Sequence, residues 1–177
     1  MKKFGIVLAV CSMCAALTAP VMADAYFGVG VGKSTMVLGG ESGDAGAALH
    51  GFVGNRVNEN VAIEAFVSQM GEYSEALGYG YTGKISGNSV GGAIRLISPV
   101  SESVALYVKG GLHRWNAKLS VSDGYDGYSD TGSGTDPMFG VGASYDAGGL
   151  AVRLGYDRYM MDEMDVNILS VGLQRSF

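Results

Sequence analysis

The sequence predicts an all-β protein, an eight-stranded antiparallel up-and-down transmembrane β-barrel. Three observations support this fold class. Large apolar residues alternate with small or polar ones in eight segments, short connections alternate with longer polar ones, and 29 of the 177 residues are glycine, well above the usual share of about 7%. After the first 23 residues no run approaches the length that a membrane helix needs. A chain that crosses lipid with strands must close on itself, because only closure pairs every backbone polar group.

Residues 1–23 have the features of a secretory signal peptide. Two lysines give a positive start, residues 4–17 form an apolar run, and the stretch "APVMA" supplies small residues at a cleavage site. We therefore expect residues 1–23 to be removed and residues 24–177 to form one barrel domain. Cleavage after Ala25, instead of after Ala23, is the close alternative.

Removal of this leader would change the charge and the redox chemistry of the protein. The leader contains two of the 12 basic residues, none of the 17 acidic residues and both cysteines, Cys11 and Cys14, so the formal net charge would fall from −5 to −7. The mature protein would then have no disulfide to stabilise it outside the cytoplasm. No nucleic-acid partner is expected.

Period-two alternation predicts the strands in order along the chain. The eight segments are 25–33, 46–54, 61–70, 86–98, 104–119, 137–146, 150–160 and 166–177. The connections at 55–60, 99–103 and 147–149 are short, those at 34–45, 71–85 and 122–136 are long, and the last, 161–165, is brief. Short turns on one side and longer loops on the other are typical of an outer-membrane barrel whose long loops face outward.

Within each strand, alternate positions differ in character. Strand one sets Phe27, Val29 and Val31 against three glycines. The apolar sets of later strands are Val61, Ile63, Ala65 and Val67 in strand three, Leu106, Val108 and Leu112 in strand five, Phe139, Val141, Ala143 and Tyr145 in strand six, and Leu150, Val152, Leu154 and Tyr156 in strand seven. Because small residues suit the narrow lumen of an eight-stranded barrel, we expect the glycine-rich face to point inward and the apolar face to point to lipid.

The charged residues of the strands fall on the inward face: Glu64, Arg95, Lys109, Arg153 and Asp157. A basic side chain facing lipid near the midplane would cost roughly 2–4 kcal/mol, whereas charges in the lumen can pair. Counting from the turns places the first four at similar heights, with Asp157 higher. We expect a lumen charge cluster that plugs the barrel, with a conducting gate as the alternative.

The long connections are acidic. Eleven of the 17 acidic residues lie in the four outer connections, and the stretch "SDGYDGYSDTGSGTD" at 122–136 raises the possibility of a calcium site. It lacks the spacing and final glutamate of an EF-hand loop, so a solvated loop is the better interpretation and no metal site is predicted. Trp115 falls on the inward face by strict alternation, and two placements stay open: a cap at the rim, or an outward turn through a bulge.

Five stretches resemble, in order, the eight-stranded OmpA-like transmembrane domain. They are "YFGVGVGKS" (26–34), "GNRVNENVAIEAFV" (54–67), "AIRLISPVSESVALYVKGGLHRW" (93–115), "GLAVRLGYDRY" (149–159) and "NILSVGLQRSF" (167–177). In that family a lumenal network of opposite charges blocks the pore. The resemblance assigns Glu64, Arg95 and Arg153 to this network. Ser144 stands where the family has a second acid, so Asp146 or Asp157 is the expected substitute.

The last stretch also resembles the β-signal that the outer-membrane assembly machinery reads by strand addition. The matching residues are Leu169, Val171, Gly172, Leu173 and Phe177, and Arg175 departs from the aromatic residue that the family places there. Longer relatives continue into a peptidoglycan-binding domain. None is present here, so the chain is not expected to tether the cell wall.

Three functions remain to be compared. The favoured one is a non-enzymatic protein of the cell outer membrane with a structural or surface-contact role and at most a very small or gated pore. It is expected to be monomeric, without a cofactor, in contact with outer-membrane lipids, lipopolysaccharide and, during biogenesis, the assembly machinery; its surface ligand is unknown. The second is a lipid-modifying barrel enzyme, for which "GLHRWNA" offers His113 and Asn116 but places Trp115 at the nucleophile position. The third is a soluble periplasmic ligand-binding barrel.

Overall fold

The computed structural model describes residues 24–78, 81–122, 127–162 and 164–177 as an all-antiparallel closed barrel. Each strand pairs with its neighbours in sequence, and β1 pairs with β8 to close the barrel. The strands are β1 (Ala25–Leu38), β2 (Glu41–Asn58), β3 (Val61–Gly78), β4 (Tyr81–Pro99), β5 (Val104–Ser122), β6 (Gly127–Asp146), β7 (Leu150–Met161) and β8 (Met164–Ser176). The predicted fold class is confirmed. The expected leader at 1–23 lies outside the described residues.

No helix in the described part of the chain is long and apolar enough to cross a membrane.

The two ends of the barrel are built differently. The proximal end carries the beginning of β1, the end of β8 and the three turns that join β2–β3, β4–β5 and β6–β7. The turn before β7 is tight because Gly148 and Gly149 adopt positive φ and both donate backbone hydrogen bonds to Asp146, as glycine permits. This contact makes Asp146 a turn residue and removes it as the substitute lumen acid. The distal end carries the other four connections.

The predicted long loops are wrong, because most of their residues continue the strands. In the described residues, 35–38 pairs with 41–44, 72–78 pairs with β4, and 127–136 pairs with β5. Backbone hydrogen bonds extend an antiparallel ladder whatever the side chains are. Alternation of apolar and small residues disappears here because neither face meets lipid, so the sequence pattern alone cannot detect these extensions.

Pairing at the distal end is uneven. The ladder between β6 and β7 stops at Met138 and Tyr159, while β6 continues to Gly127 and pairs there with β5 alone. Residues 127–137 therefore form a free edge, and Pro137 fits an edge because it has no N–H to donate. Strands β3, β4, β5 and β6 extend together as a four-stranded sheet, which we call the distal sheet: residues 72–78, 81–88, 116–122 and 127–136.

The expected assignment of faces is confirmed. On the outer face the exposed apolar residues include Val29, Ile63, Leu106, Phe139 and Leu154, each with more than half of its surface exposed. On the inner face Glu64, Arg95, Arg153 and Asp157 are buried. A continuous outward-facing apolar belt needs lipid to cover it.

Candidate functional site: the charged lumen

Glycines on the inner face make space for large lumen side chains. A Cβ added at Gly54 would lie 2.4 Å from the Tyr26 ring, and one at Gly142 would lie 2.4 Å from the Tyr107 ring. Neither position could carry any other residue without moving an aromatic ring. The high glycine content thus follows from filling a narrow barrel with a few large side chains.

Glu64 lies at the centre of the lumen charges. One carboxylate oxygen, Oε1, accepts hydrogen bonds from Tyr26 Oη at 2.9 Å, Arg153 Nη1 at 2.9 Å and Arg95 Nη1 at 3.1 Å. The same guanidinium nitrogens donate to Gln174 Oε1 at 3.4 Å from Arg95 and 3.5 Å from Arg153. We call these five residues the Glu64 cluster. They join β1, β3, β4, β7 and β8 across the barrel interior.

Aromatic rings hold the two guanidinium groups in place. Arg95 lies 4.5 Å from the ring centroid of Tyr107, and Arg153 lies 4.2 Å from that of Phe52 and 4.9 Å from that of Tyr107. Contacts of this kind attract a cation to the face of a ring. The Glu64 cluster contains two guanidinium charges and one carboxylate, so these rings and Gln174 help to offset the uncompensated positive charge.

Lys109 and Asp157 form a separate lumen pair. Lys109 Nζ lies 3.0 Å from Asp157 Oδ2, and both side chains are buried. Both residues lie opposite Gly140 on the strand between them, and a Cβ at Gly140 would lie 2.0 Å from Asp157 Oδ1. We expected Lys109 to lie with Glu64 and Asp157 to lie higher in the barrel. Lys109 instead pairs with Asp157. Strand tilt and shear make a residue's count from its turn a poor measure of height.

Four buried side-chain polar atoms lack hydrogen-bond partners within the described residues, and two of them, Arg95 Nε and Asp157 Oδ1, belong to the lumen charges; the other two are Ser34 Oγ and Asn167 Oδ1. Arg95 is nevertheless paired through Nη1 and Asp157 through Oδ2. Ser144, the position at which the family has an acid, lies opposite Arg153 on β6. Asp157 is thus the acid that joins Glu64 among the buried lumen charges, and it meets Lys109 instead of an arginine.

Large apolar side chains occupy much of the distal half of the interior. Four methionines are buried there: Met36, Met70, Met138 and Met161. Trp115 is buried with them, on the inward side where strict alternation places it. Trp115 Nε1 donates a 2.6 Å hydrogen bond to Asp136, so the indole is an inward cap and no bulge turns it out. Sequence reasoning missed this filling, although each methionine falls on the inward parity of its strand. We call these five residues the distal filling.

His113 makes hydrogen bonds through both ring nitrogens and packs against an aromatic ring. Its Nε2 donates to the Met160 carbonyl at 2.9 Å, which leaves Nδ1 to accept from Ser89 Oγ at 2.9 Å, and its ring meets the Tyr159 ring edge-to-face at 5.2 Å. Asn116 is exposed on the opposite face of β5. The two residues of the possible lipid-modifying motif therefore do not face a common site.

The predicted assembly-signal residues lie on β8 and just after it. Leu169, Val171 and Leu173 face outward and are about half exposed, while Gly172 faces inward. Phe177 donates its backbone N–H to the Ala25 carbonyl at 3.0 Å, and its ring stacks on Phe27 with 5.6 Å between centroids. This contact lies on the seam where β8 closes the barrel against β1.

No metal centre is seen in the parts of the chain that the structure describes, where no three histidine, cysteine or acidic residues are placed to hold an ion. Asp123 and Asp126, from the stretch considered for calcium, lie outside the described residues, as does Glu163.

Comparison with known proteins determines the family. Residues 6–177 match the family described as "Outer membrane protein beta-barrel domain". The chain belongs to this family. It is an outer-membrane β-barrel protein, as its lipid-facing belt and its resemblance to OmpA-like domains predicted. No curated protein matches the chain.

Solved structures show the same fold at low sequence identity. Ail, the attachment invasion locus protein of Yersinia pestis, solved with the heparin analogue sucrose octasulfate, is 18% identical over 88% of this chain and 99% of its own, with a TM-score of 0.66. Neisserial surface protein A is 18% identical over 86% of this chain and 97% of its own, with a TM-score of 0.65. The N-terminal barrel of Pseudomonas aeruginosa OprF is 14% identical over 85% of this chain and 97% of its own, with a TM-score of 0.56.

Proposed function

We propose that this outer-membrane barrel is closed to transport and acts by contact at the cell surface. The observation that carries the proposal is the filled interior. The Glu64 cluster crosses the proximal half, the Lys109–Asp157 pair lies on the strands beside it, and the distal filling occupies the other half. Because the charges pair with each other and the apolar side chains are packed, no polar path is left along which a solute could cross the barrel. We therefore expect the function to lie outside the barrel.

The distal sheet is the proposed contact element. It extends beyond the lipid-facing belt, and the edge at residues 127–137 has no partner strand among the described residues. An unpaired edge offers backbone donors and acceptors in the spacing that an added strand requires. Tyr128 is 67% exposed on this edge and supplies a large side chain for contact.

The charge of the distal end bears on the class of partner. Ail was solved with a highly sulfated sugar, but the described distal residues here include many acids: Glu41, Asp44, Glu72, Glu75, Asp130, Asp136, Asp162 and Asp165. Like charges repel, so a polyanion is disfavoured at the sheet edge. We infer that the edge contacts a neutral or basic extended segment of another protein.

The remaining proposals concern how the protein is exported and assembled and what surrounds it in the membrane. We propose that residues 1–23 are the export leader, that the β8 residues ending at Phe177 are read by the assembly machinery, and that the barrel is a monomer whose outer face contacts lipopolysaccharide. We propose no enzymatic activity, since His113 has both ring nitrogens engaged and faces the lumen.

A tag placed at the distal end is expected to reach the outside of the cell. Inserting a short epitope after Gly132, an exposed residue on the free edge, should leave the barrel intact because β6 has no partner on that side there. Antibody should bind intact cells. An epitope inserted in the proximal turn after Gly148 is the matched control and should be detected only after permeabilisation. The reverse result would invert the proposed orientation.

Shortening the β5–β6 hairpin is expected to abolish surface contact without unfolding the barrel. Replacing residues 119–130 by Asn-Gly joins Lys118 to Thr131, which already face each other across the ladder, through a favoured two-residue turn. Cells of a non-adherent host that display the intact chain should adhere to an epithelial monolayer at least severalfold more than cells that display this variant.

A second shortened hairpin provides the control. Replacing residues 37–42 by Asn-Gly joins Met36 to Gly43 in the β1–β2 hairpin, which lies away from the free edge. This variant should adhere as well as the unaltered chain, with equal surface amounts verified by protease accessibility. Equal adherence by all three chains, or none by any, would contradict the proposed contact function.

A further inference from the structure

The outer face of the distal end carries five basic side chains, and they fall into two groups. Three are ion-paired: Lys33 with Asp44 at 2.7 Å, Lys84 with Glu72 at 2.9 Å, and Arg158 with Asp165. The ammonium of Lys33 donates a hydrogen bond that holds the pKa of the Asp44 carboxyl below its ordinary value. The other two, Arg114 and Lys118, form no ion pair with any described residue.

Both unpaired cations lie on one face of β5, directly beyond the apolar belt. The outward residues of this strand run Leu112, Arg114, Asn116 and Lys118, and all four are exposed. Leu112, at 60% exposure, is the last apolar residue of the row. Arg114 therefore stands at the level where lipid tails give way to headgroups, and its stem can lie along the belt while its guanidinium reaches outward.

The neighbouring strands surround these cations with neutral hydrogen-bonding groups. On β4, Asn88 lies opposite Asn116 and Ser86 lies opposite Lys118. On β6, Thr135 lies opposite Arg114 and Thr131 lies opposite Lys118. On β4 and β6 the outward positions in these rows carry no carboxylate, although the distal end as a whole is acidic. Glu72, which lies opposite Ser86 on β3, is one strand further from Lys118 and is ion-paired with Lys84. We call Ser86, Asn88, Arg114, Asn116, Lys118 and Thr131 the basic patch.

We infer that the basic patch is a binding site for the phosphorylated headgroup of a glycolipid in the outer leaflet. An arginine can hold a phosphate through two parallel hydrogen bonds and a lysine through one point charge, and the amides and hydroxyls suit sugar groups. Arg114 and Lys118 are four positions apart along the strand, a rise of about 13 Å, so the two cations would engage two phosphates of one headgroup. The inference deepens the proposed contact of the outer face with lipopolysaccharide, and it rests on that proposal and on the outward placement of the distal end.

The alternative occupants are an anionic phospholipid and a soluble polyanion. A phospholipid would meet Arg114 at the headgroup level but would not reach Lys118, two outward positions further from the belt. A soluble polyanion would meet the acidic groups of the remaining distal end. The height of the patch and its neutral surroundings thus favour a large, phosphorylated headgroup that is anchored in the same leaflet.

The test uses the full barrel in phosphatidylcholine vesicles that contain lipopolysaccharide, enzymatically dephosphorylated lipopolysaccharide, or phosphatidylglycerol. Lipid retained after detergent extraction is measured by native mass spectrometry for the unaltered chain, R114Q, K118Q and the double variant. Each substitution should weaken retention of lipopolysaccharide about tenfold, as expected for loss of a charge-assisted hydrogen bond. The dephosphorylated form should bind as weakly to the unaltered chain as the intact form binds to the double variant.

Matched controls separate a site from general charge attraction. R158Q and K33Q each remove one rim cation that already has a carboxylate partner, and both should retain lipopolysaccharide within about twofold of the unaltered chain. Equal loss in these controls, equal binding of phosphatidylglycerol, or unchanged binding by R114Q/K118Q would overturn the inference. Heat-modifiable gel mobility verifies folding of each variant. Adherence through the β6 edge is scored separately, so failure of the patch leaves the contact function standing.

Discussion

Glu64→Ala is expected to lower the free energy of unfolding of the barrel in detergent by about 3–5 kcal/mol, the usual effect of removing one partner from a buried ion pair. The loss is large because a single carboxylate oxygen receives hydrogen bonds from two buried guanidinium groups and a tyrosine. Without it, Arg95 and Arg153 repel each other in a poorly solvated space and share Gln174 as an acceptor at 3.4–3.5 Å. The shift of the folded band to the unfolded band with temperature, in a gel, measures the change.

Two further variants separate charge from packing in this cluster. Glu64→Gln keeps an acceptor of similar size, so any destabilisation beyond a few tenths of a kcal/mol reports the lost charge. The pair Glu64→Gln and Arg153→Gln should cost less together than the sum of the single changes, by about 0.5–3 kcal/mol, because contacting groups couple. Additive effects would mean that the 2.9 Å contact between these residues contributes nothing, and the plug would have to be abandoned.

Phe177→Ser is expected to reduce the amount of folded barrel in the outer membrane by at least about tenfold, with the product degraded in the periplasm. Phe177 completes the outward apolar row of β8 and stacks on Phe27 where the barrel closes. A strand read by addition to an exposed edge depends on such a row. Fractionation of membranes followed by immunoblotting measures the yield.

Phe139→Ser provides the control for this change. Phe139 is also an outward aromatic residue, with 56% of its surface exposed, but it lies in the middle of the chain. Its loss should reduce the lipid-facing apolar area without affecting assembly. If both variants, or neither, fail to reach the outer membrane, Phe177 has no special part in assembly and the signal is wrongly assigned.

Alternation predicted the barrel because each strand meets lipid on one side and a narrow lumen on the other. Phe27 and Val29 next to glycines, and Ile63 next to Glu64, are patterns that only this arrangement explains. The same reasoning failed at 34–45, 71–85 and 122–136, where the strands continue beyond the lipid and their outward faces meet water. There the ladder is held by backbone hydrogen bonds, which leave no periodic mark on the side chains.

The inward residues were predictable, but their partners were not. Parity alone placed Glu64, Arg95, Arg153, Lys109 and Asp157 in the lumen. Which of them meet depends on shear between strands, and this is why Lys109 reaches Asp157 and not Glu64. Tyr26 and Gln174 are on the inward parity of β1 and β8, yet nothing in their spacing marks them as members of the Glu64 cluster.

The central claim is that the lumen is closed, and single-channel recording of the purified, unaltered barrel in a planar bilayer tests it most directly. With Glu64 paired to both arginines and the methionines packed beyond them, the protein should insert without steady conductance. Glu64→Ala, which breaks the cluster, should raise the frequency of openings. Stable, long-lived conductance steps from the unaltered protein would contradict the account, because they require a continuous polar path through an interior filled with paired charges and packed side chains.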